Sequence, residues 1–167
     1  VTTHGSDTFI PFMEGQTREL KVYADKADTV VCVSSLLRRR LEECSVCAPL
    51  DVILNGFNVR YVSEGPQKDP AHIMQVGSLI PRKKTDVTIR AVAMLKEQGD
   101  KVRFTSIGSG PELENLQALA AECNVADEVV FAGQLSNREV QERMAEAAYF
   151  VMPSVREGFG IVYLEAM

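Results

Sequence analysis

Two carboxylates and a glycine-containing loop lie close together near the end of the chain. Glu157 stands directly before a loop with two glycines, and Glu165 follows it after seven intervening residues. An apolar run ends at Pro153-Ser154 and a helical pattern begins near Ile161, so the loop connects a strand to a helix. Backbone N–H groups at the first turn of a helix attract anions, and carboxylates accept hydrogen bonds from hydroxyl groups. The pattern therefore fits a sugar nucleotide, whose diphosphate separates a sugar from a ribose.

The same segment resembles a motif of a known family. Glu157-Gly-Phe-Gly-Ile-Val-Tyr-Leu-Glu165 is similar to the E-x7-E motif of retaining glycosyltransferases with the GT-B architecture, glycosyltransferase family four, also called glycosyl transferases group 1. Two glutamates at this spacing are also common on surface helices, so a purely structural interpretation stays open for the isolated pair. Further resemblances follow the family's order along the chain, at residues 4–7, 28–35, 49–57, 75–84, 106–112 and 131–135.

Composition places the chain among globular proteins. Hydrophobic residues make up 46% and charged residues 25%, and no apolar run approaches the ~20 residues of a membrane span. The net charge of −5 argues against nucleic acid as a partner, because binding phosphates requires a basic face. Four cysteines with a single C-x-x-C pair form neither a disulfide framework nor a complete zinc site, which favours a reducing, cytoplasmic location. Because the chain begins without Met and ends inside an apparent helix, we expect a fragment of a longer protein.

Alternating strands and helices are predicted along the chain. In the first part, a strand ends near Gly5, and helices 17–27 and 36–44 alternate with strands 29–33 and 50–54, the second helix starting at an N-cap in Ser34-Ser35. From residue 73 the predicted order is strand 73–79, helix 85–98, strand 102–107, helix 111–123, strand 129–132, helix 136–147, strand 149–152 and a helix from about 160. This alternation predicts an α/β fold, a doubly wound, Rossmann-like parallel sheet with its ligands beyond the carboxyl ends of the strands.

The family resemblance implies a division into domains. Residues 1–58 would be the later part of the GT-B N-terminal, acceptor-side domain, and residues 59–72, with Gly65, Pro66 and Pro70, would be the linker. Residues 73–167 would be the nucleotide-sugar binding domain, truncated at its carboxyl end.

The resemblance also implies roles for individual residues. His4 and Glu157 would be catalytic, His4 near the reacting carbon and Glu157 on the hydroxyl groups of the transferred sugar. Lys83 would neutralise the leaving diphosphate, and Glu165 would bind the ribose hydroxyl groups. The remaining donor-binding residues would be Gly77, Ser78, Arg82, Gly108, Gly110, Gln134, Leu135, Gly158, Phe159, Gly160 and Ile161.

Two residues of the segment 75–84 depart from the family pattern. Ser78 stands where the family's VGRLxxxKG motif has arginine, and Lys84 replaces its glycine. Either Arg82 or Lys84 compensates for the missing phosphate cation, or donor affinity is reduced. A structural interpretation of the basic residues as a solvated helix start also stays open. The turn containing Gly108 is not a dinucleotide fingerprint, since Pro111 and Glu112 displace its third glycine.

The resemblance implies a glycosyltransferase that moves a sugar from a nucleoside-diphosphate sugar to an acceptor with retention of configuration. No D-x-D motif occurs in the sequence, so we expect no metal and no cofactor beyond the donor substrate. The acceptor stays unknown, and the implied membrane contact of the full-length protein would be peripheral. We expect the fragment alone to be inactive and to form a homodimer through the exposed edge of strand 149–152.

Two other functions remain open. A non-catalytic module that binds a sugar nucleotide or a partner protein would keep the same fold, and Ser78 favours this alternative. A sugar-nucleotide epimerase would share the two-domain architecture but should lack the loop from Glu157 to Gly160 in this form.

Overall fold

The computed structural model describes residues 2–3, 17–56, 67–155 and 157–167. His4 and its neighbours 5–7, residues 57–58 and most of the predicted linker lie outside the described residues. The chain divides into two compact units, one with Val1–Asn58 and Arg156–Ile161, the other with Val59–Val155 and Val162–Met167. The assignment of residues 59–72 to a linker therefore stays a prediction.

The first unit contains a parallel three-stranded sheet in the order β1-β2-β3. Its described elements are β1 (Thr2–Thr3), α1 (Thr17–Ala24), β2 (Val30–Cys32), α2 (Ser35–Glu43) and β3 (Leu50–Val52). The predicted N-cap is confirmed, because the hydroxyl of Ser34 accepts a hydrogen bond from the backbone N–H of Leu37 at 3.3 Å. The apolar stripe of α2 packs on β2, and Leu37, Leu41 and Val30 are fully buried.

The second unit contains a parallel four-stranded sheet in the order β6-β5-β4-β7. Its elements are β4 (Asp69–Val76), a 3₁₀ turn (Pro81–Lys83), α3 (Thr85–Glu97), β5 (Arg103–Ile107), α4 (Leu113–Glu122), β6 (Val129–Gly133), α5 (Asn137–Glu146), β7 (Ala147–Phe150) and α6 (Ile161–Ala166). The strand β7 lies at one edge of this sheet, as the sequence predicted. Dimerisation through that edge stays a prediction.

Apolar side chains cover both faces of the second sheet. Neighbouring residues Ile73 and Met74 of β4 point to opposite faces and belong to separate apolar clusters. The cluster with Ile73 is completed by α3 and α4, and the cluster with Met74 by α5 and α6. Helices on both faces of a parallel sheet confirm the predicted doubly wound α/β class.

Some predicted boundaries were wrong by two to four residues. The first strand of this sheet covers Asp69–Val76 rather than 73–79, so residues 69–72 form its first half. It ends before Gly77 because the backbone there turns toward the loop that follows β5, where the N–H of Leu79 donates to the carbonyl of Ser109 at 2.9 Å. The strand β7 begins at Ala147, which the sequence assigned to the preceding helix, because the backbone is already extended at that residue.

The cysteines of this chain are not paired with one another. All four cysteines are free, which agrees with the predicted absence of a disulfide framework. Burial raises the pKa of the thiols of Cys32 and Cys44, so both stay protonated near neutral pH.

Within the described ranges, every helix is too short or too polar to cross a lipid bilayer.

Candidate functional site

Three loops meet at the carboxyl edge of the second sheet, where backbone hydrogen bonds join them. The N–H of Gly77, after β4, donates to the carbonyl of Ile107 in β5 at 2.9 Å. The N–H of Gly108 donates in turn to the carbonyl of Gly133, at the end of β6, at 2.8 Å. The loops that follow β4, β5 and β6 therefore form one continuous edge, which we call the loop edge (residues 77–79, 108–110 and 133–135).

Two glycines are required at the loop edge because the neighbouring backbone leaves no room for a side chain. A Cβ on Gly108 would lie 2.1 Å from the carbonyl oxygen of Gly77, and one on Gly110 would lie 2.3 Å from that of Leu79. Both distances are far below van der Waals contact, so any other residue would force the two loops apart. The sequence predicted that these glycines serve a tight turn and border the donor nucleotide, and the structure gives the packing reason for the turn.

Lys83 lies beside this edge, at the end of the 3₁₀ turn that leads into α3. Its aliphatic chain crosses the face of Gly77, where a Cβ would lie 3.3 Å from Cε of Lys83. Its ammonium group donates to the Sδ atom of Met152, after β7, at 3.8 Å. Lys83 thus brings a cation to the loop edge, on the side of the edge strand β7.

A buried polar cluster lies under the turn that carries Lys83. The amide of Gln75 in β4 donates to the carbonyl of Lys83 at 3.3 Å and to the hydroxyl of Thr85 at 3.0 Å, and it accepts from the hydroxyl of Thr88 at 3.0 Å. Sequence reasoning missed Gln75, Thr85 and Thr88 as residues of this region. The available signal was a glutamine within the apolar second half of the strand, two residues before Gly77.

The two departures from the family motif have distinct structural settings. Ser78 is exposed at the loop edge. Lys84 has φ 54° and ψ 39°, a left-handed conformation that favours glycine, and it ends the 3₁₀ turn just before α3. The glycine of the family motif therefore matches a backbone requirement, which Lys84 meets at a cost in conformational energy.

Further donor-binding predictions also fall on the second unit. Gln134 is exposed directly after β6, whereas Leu135 is half-buried and packs on the cluster that contains Met74. The carbonyl of Arg82 accepts the N–H of Val155 at 3.1 Å, which ties the 3₁₀ turn to the segment after β7. Seven of the predicted donor-binding residues thus lie along the loop edge or its adjoining turn: Gly77, Ser78, Arg82, Lys83, Gly108, Gly110 and Gln134.

The segment with the two glutamates is divided between the units. Glu157, Gly158, Phe159 and Gly160 form a non-helical loop that belongs to the first unit together with Ile161, the first residue of α6. The ring of Phe159 packs against the apolar core of that unit. Glu165 is exposed on α6 in the second unit.

The helix α6 is anchored to the end of β7 within the second unit. The hydroxyl of Tyr163 donates to the carbonyl of Met152 at 2.6 Å, and its ring meets Phe150 edge-on at 6.0 Å between centroids. Met152 also contacts Lys83, so α6 and the lysine share one neighbour. Among the described residues, no group of three or more His, Cys, Asp or Glu side chains has an arrangement suited to a metal ion. Independence from metal stays a prediction.

Comparison with known proteins identifies the family. The sequence profile of the glycosyl transferases group 1 family matches residues 61–167. The chain belongs to this family. The matched range contains the whole loop edge, Lys83 and the loop from Glu157 to Gly160.

Two curated relatives align with nearly all of the chain. A GDP-mannose-dependent α-(1-6)-phosphatidylinositol monomannoside mannosyltransferase of Mycobacterium tuberculosis is 28% identical over 184 residues, which cover 99% of this chain and 48% of that protein. An uncharacterised glycosyltransferase of Methanocaldococcus jannaschii is 30% identical over 169 residues, which cover 100% of this chain and 45% of that protein. The chain spans about half the length of the curated relatives that it matches.

Solved structures agree with this family in fold. The sucrose-phosphate synthase of Thermosynechococcus elongatus has a TM-score of 0.83 at 23% identity, covering 99% of this chain and 46% of the other. HepE of Anabaena, solved with UDP and glucose, has a TM-score of 0.82 at 19% identity, covering 99% of this chain and 49% of the other. Similarity at these identities shows the GT-B fold alone.

Proposed function

We propose that this chain carries the donor-binding part of a glycosyltransferase that uses a nucleoside-diphosphate sugar and retains its anomeric configuration. The observation that carries the proposal is the position of Lys83, whose cationic side chain crosses Gly77 at the carboxyl edge of a parallel sheet. Ligands of doubly wound folds bind at this edge of the sheet. Membership of the glycosyl transferases group 1 family supports the same assignment.

The diphosphate is the part of the donor that Lys83 would bind. When the bond between the anomeric carbon and the phosphate oxygen breaks, negative charge develops on the departing diphosphate, and an ammonium group placed there stabilises the transition state. Arg82 lies on the same 3₁₀ turn and would add a second cation. Since Ser78 supplies none, we propose that these two residues provide the positive charge.

The two glutamates would bind the sugars on either side of the diphosphate. Glu157 would accept hydrogen bonds from hydroxyl groups of the transferred sugar, next to the amides of Gly158 to Ile161, and Glu165 would accept those of the ribose. His4 would lie near the reacting carbon. The acceptor hydroxyl would attack from the face that the diphosphate leaves, which retains the configuration, and its proton would pass to the leaving phosphate.

The nucleobase would lie against the loop after β6. Gln134 is exposed there, and the backbone of residues 133–135 would contact the base. The names of similar proteins include GDP-mannose and UDP, so UDP and GDP are the first diphosphates to test.

Calorimetric titration of the 167-residue chain with UDP and with GDP tests the donor site. Lys83→Ala should weaken binding of the preferred diphosphate about tenfold or more, because it removes a charge-assisted contact. Glu165→Ala should weaken it through the ribose. Lys101→Ala is the matched control, since Lys101 is an exposed lysine before β5, at the amino ends of the strands. Equal affinity of Lys83→Ala and the unaltered chain would refute the site.

Transfer itself requires more than this site, so we expect activity from the full-length protein and little from the 167 residues alone. The full-length protein should convert a matching nucleotide sugar and acceptor into a product with the donor's configuration. The acceptor is unassigned, and a peripheral membrane contact of the full-length protein stays part of the proposal. Product analysis by NMR distinguishes retention from inversion and also from epimerisation of the donor.

A second candidate function is a non-catalytic module that binds a sugar nucleotide. The exposed Ser78 favours it, because the family motif has an arginine at this position. Ser78→Arg in the full-length protein separates the two functions. If the protein is an active transferase, the variant should tighten diphosphate binding and keep turnover. If it is a binding module, binding should tighten while turnover stays absent in both proteins.

A further inference from the structure

Gln75 is a buried amide whose partners all lie where the 3₁₀ turn leads into α3. Its side chain is 2% exposed and belongs to β4, on the face of the sheet that α3 covers. Its partners are Lys83, Thr85 and Thr88, at the end of the 3₁₀ turn and in the first helical turn of α3. A buried amide without partners would be unfavourable, so this cluster specifies where the turn lies against the strand.

The hydrogen bonds of the cluster fix both the amide and the backbone next to it. Oε1 of Gln75 accepts from Thr88, and Nε2 donates to Thr85 and to the carbonyl of Lys83. Thr85 and Thr88 are each 3% exposed, so solvent does not compete for these groups. Because Gln75 binds the carbonyl of Lys83, this hydrogen bond fixes the position of the Lys83 backbone relative to the end of β4.

The side chain of Lys83 leaves that fixed point and crosses Gly77. A long lysine has many rotamers, and a cation orders a ligand best when its backbone and first carbons are already held. The contact with Gly77 restrains the outer part of the chain, and the Gln75 amide restrains its origin. Loss of the amide would leave the cation present but would remove one of the hydrogen bonds that hold its backbone.

We propose that Gln75 is a positioning residue for Lys83, which holds the 3₁₀ turn so that the ammonium group meets the diphosphate of a nucleotide sugar. The inference rests on the proposed function of Lys83. Gln75 touches no substrate in this account and acts through the carbonyl of Lys83. A shift of the cation by about 1 Å is enough to lose much of the benefit of a preorganised charge.

A double-mutant cycle separates positioning from general packing. Gln75→Met keeps the length and volume of the side chain but cannot hydrogen-bond, and Lys83→Ala removes the cation. Calorimetry with UDP and GDP is carried out on the unaltered chain, both single variants and the double variant. We expect Gln75→Met to weaken binding about fivefold in the presence of Lys83 and less than about twofold in its absence.

Thr88→Val is the matched control for loss of a buried hydrogen bond. It removes the donor to Oε1 of Gln75 but leaves the amide contact with the Lys83 carbonyl, so the midpoint of thermal unfolding should fall while diphosphate affinity stays within about twofold. If Gln75→Met does not fold, Gln75→Asn retains an amide but withdraws it from Lys83 and replaces it in the cycle.

The outcomes distinguish the inference from the proposed function. If the unaltered chain binds neither diphosphate, or if Lys83→Ala binds as tightly as the unaltered chain, the proposed function is wrong. If Lys83→Ala weakens binding but Gln75→Met does not, only the positioning role is wrong. An equal loss from Gln75→Met with and without Lys83 also overturns it, because the effect would then not pass through the lysine.

Discussion

The side chain of Lys83 lies directly on the backbone of Gly77, where a Cβ would be 3.3 Å from Cε and 3.6 Å from Nζ of the lysine. Glycine at this position leaves the lysine room to lie along the loop edge. The position of the cation thus depends on the lack of a side chain on a residue six positions earlier in the sequence.

Gly77→Ala should therefore displace Lys83 and weaken diphosphate binding. The added methyl meets the flexible end of the lysine, so the chain can move aside, and we expect a several-fold loss of affinity for UDP or GDP. Gly99→Ala is the control, because Gly99 also has a positive φ, 92°, but a Cβ there has no neighbour within 4 Å. Isothermal calorimetry on both variants checks the prediction, and unchanged affinity of Gly77→Ala would contradict it.

Gly108→Ala should destabilise the fold much more than a substitution at Gly133. A Cβ on Gly108 would lie 2.1 Å from a backbone oxygen, which cannot move without separating two loops, so we expect a loss of about 3 kcal/mol or more in the free energy of unfolding. Gly133 has φ 69° but no neighbour within 4 Å of a Cβ, so Gly133→Ala should lose only about 1 kcal/mol. Urea unfolding measures both, and equal losses would argue against the close contact.

Lys84→Gly should stabilise the chain. Lys84 adopts a left-handed backbone that costs a non-glycine residue about 1 kcal/mol, whereas glycine adopts it freely but has a more flexible unfolded state, so the net gain should be about 0.5 kcal/mol. Lys84→Ala removes the same charge without relieving the backbone, and it should give no gain. Chemical denaturation of both variants tests the difference, and a greater stability of the alanine variant would count against this explanation.

His72 should make the stability of the second unit depend on pH. Its side chain is 2% exposed, and its Nε2 lies 2.9 Å from the hydroxyl of Thr105. Burial is the main cause that lowers the pKa of His72, and the charges of Arg103 and Arg143 lower it further, against the opposing effects of Asp69 and Glu146.

The sign of the effect follows from the lowered pKa. Below the ordinary histidine pKa of about 6.5, the unfolded chain binds a proton that the folded chain does not, so the free energy of unfolding should fall as the pH decreases from 7 toward 5. Above that pKa the contribution is fully present. His72→Gln should flatten this dependence, while His4→Gln, which alters the other of the two histidines and leaves His72 in place, should retain it. Thermal unfolding at several pH values measures the slope, and parallel slopes for the unaltered chain and His72→Gln would rule out this role.

Local patterns in the sequence were sufficient to predict the order and type of the elements. Ser136 caps the helix α5: its hydroxyl accepts the N–H of Glu139, and the Glu139 carboxylate accepts the N–H of Ser136. The two residues have the sequence spacing of a capping box. The spacing of Ile89 and Val92 on α3 likewise marks the face that is buried in the structure. Such signals act within one element and need no knowledge of the rest of the chain.

Contacts between distant residues could not be predicted in the same way. Gly108 needs to be glycine because of Gly77, 31 positions earlier, and the amide of Gln75 finds its partners only once α3 has packed on β4. The end of β4 was misplaced for the same reason, since Leu79 is apolar but its N–H bonds to the loop after β5. Motif resemblance predicted Lys83 as a site residue, but its contacts with Gln75 and Met152 became visible only in three dimensions.

A nucleoside diphosphate should bind at the loop edge beside Lys83. Two-dimensional NMR of the ¹⁵N-labelled chain, titrated with UDP and with GDP, locates the bound ligand residue by residue. We expect the largest shifts on the amides of Gly77, Lys83, Gly108 and Gln134, and we expect Lys83→Ala to abolish them at the same ligand concentration. Shifts concentrated at Lys101 and Arg103, at the amino ends of the strands, would contradict it.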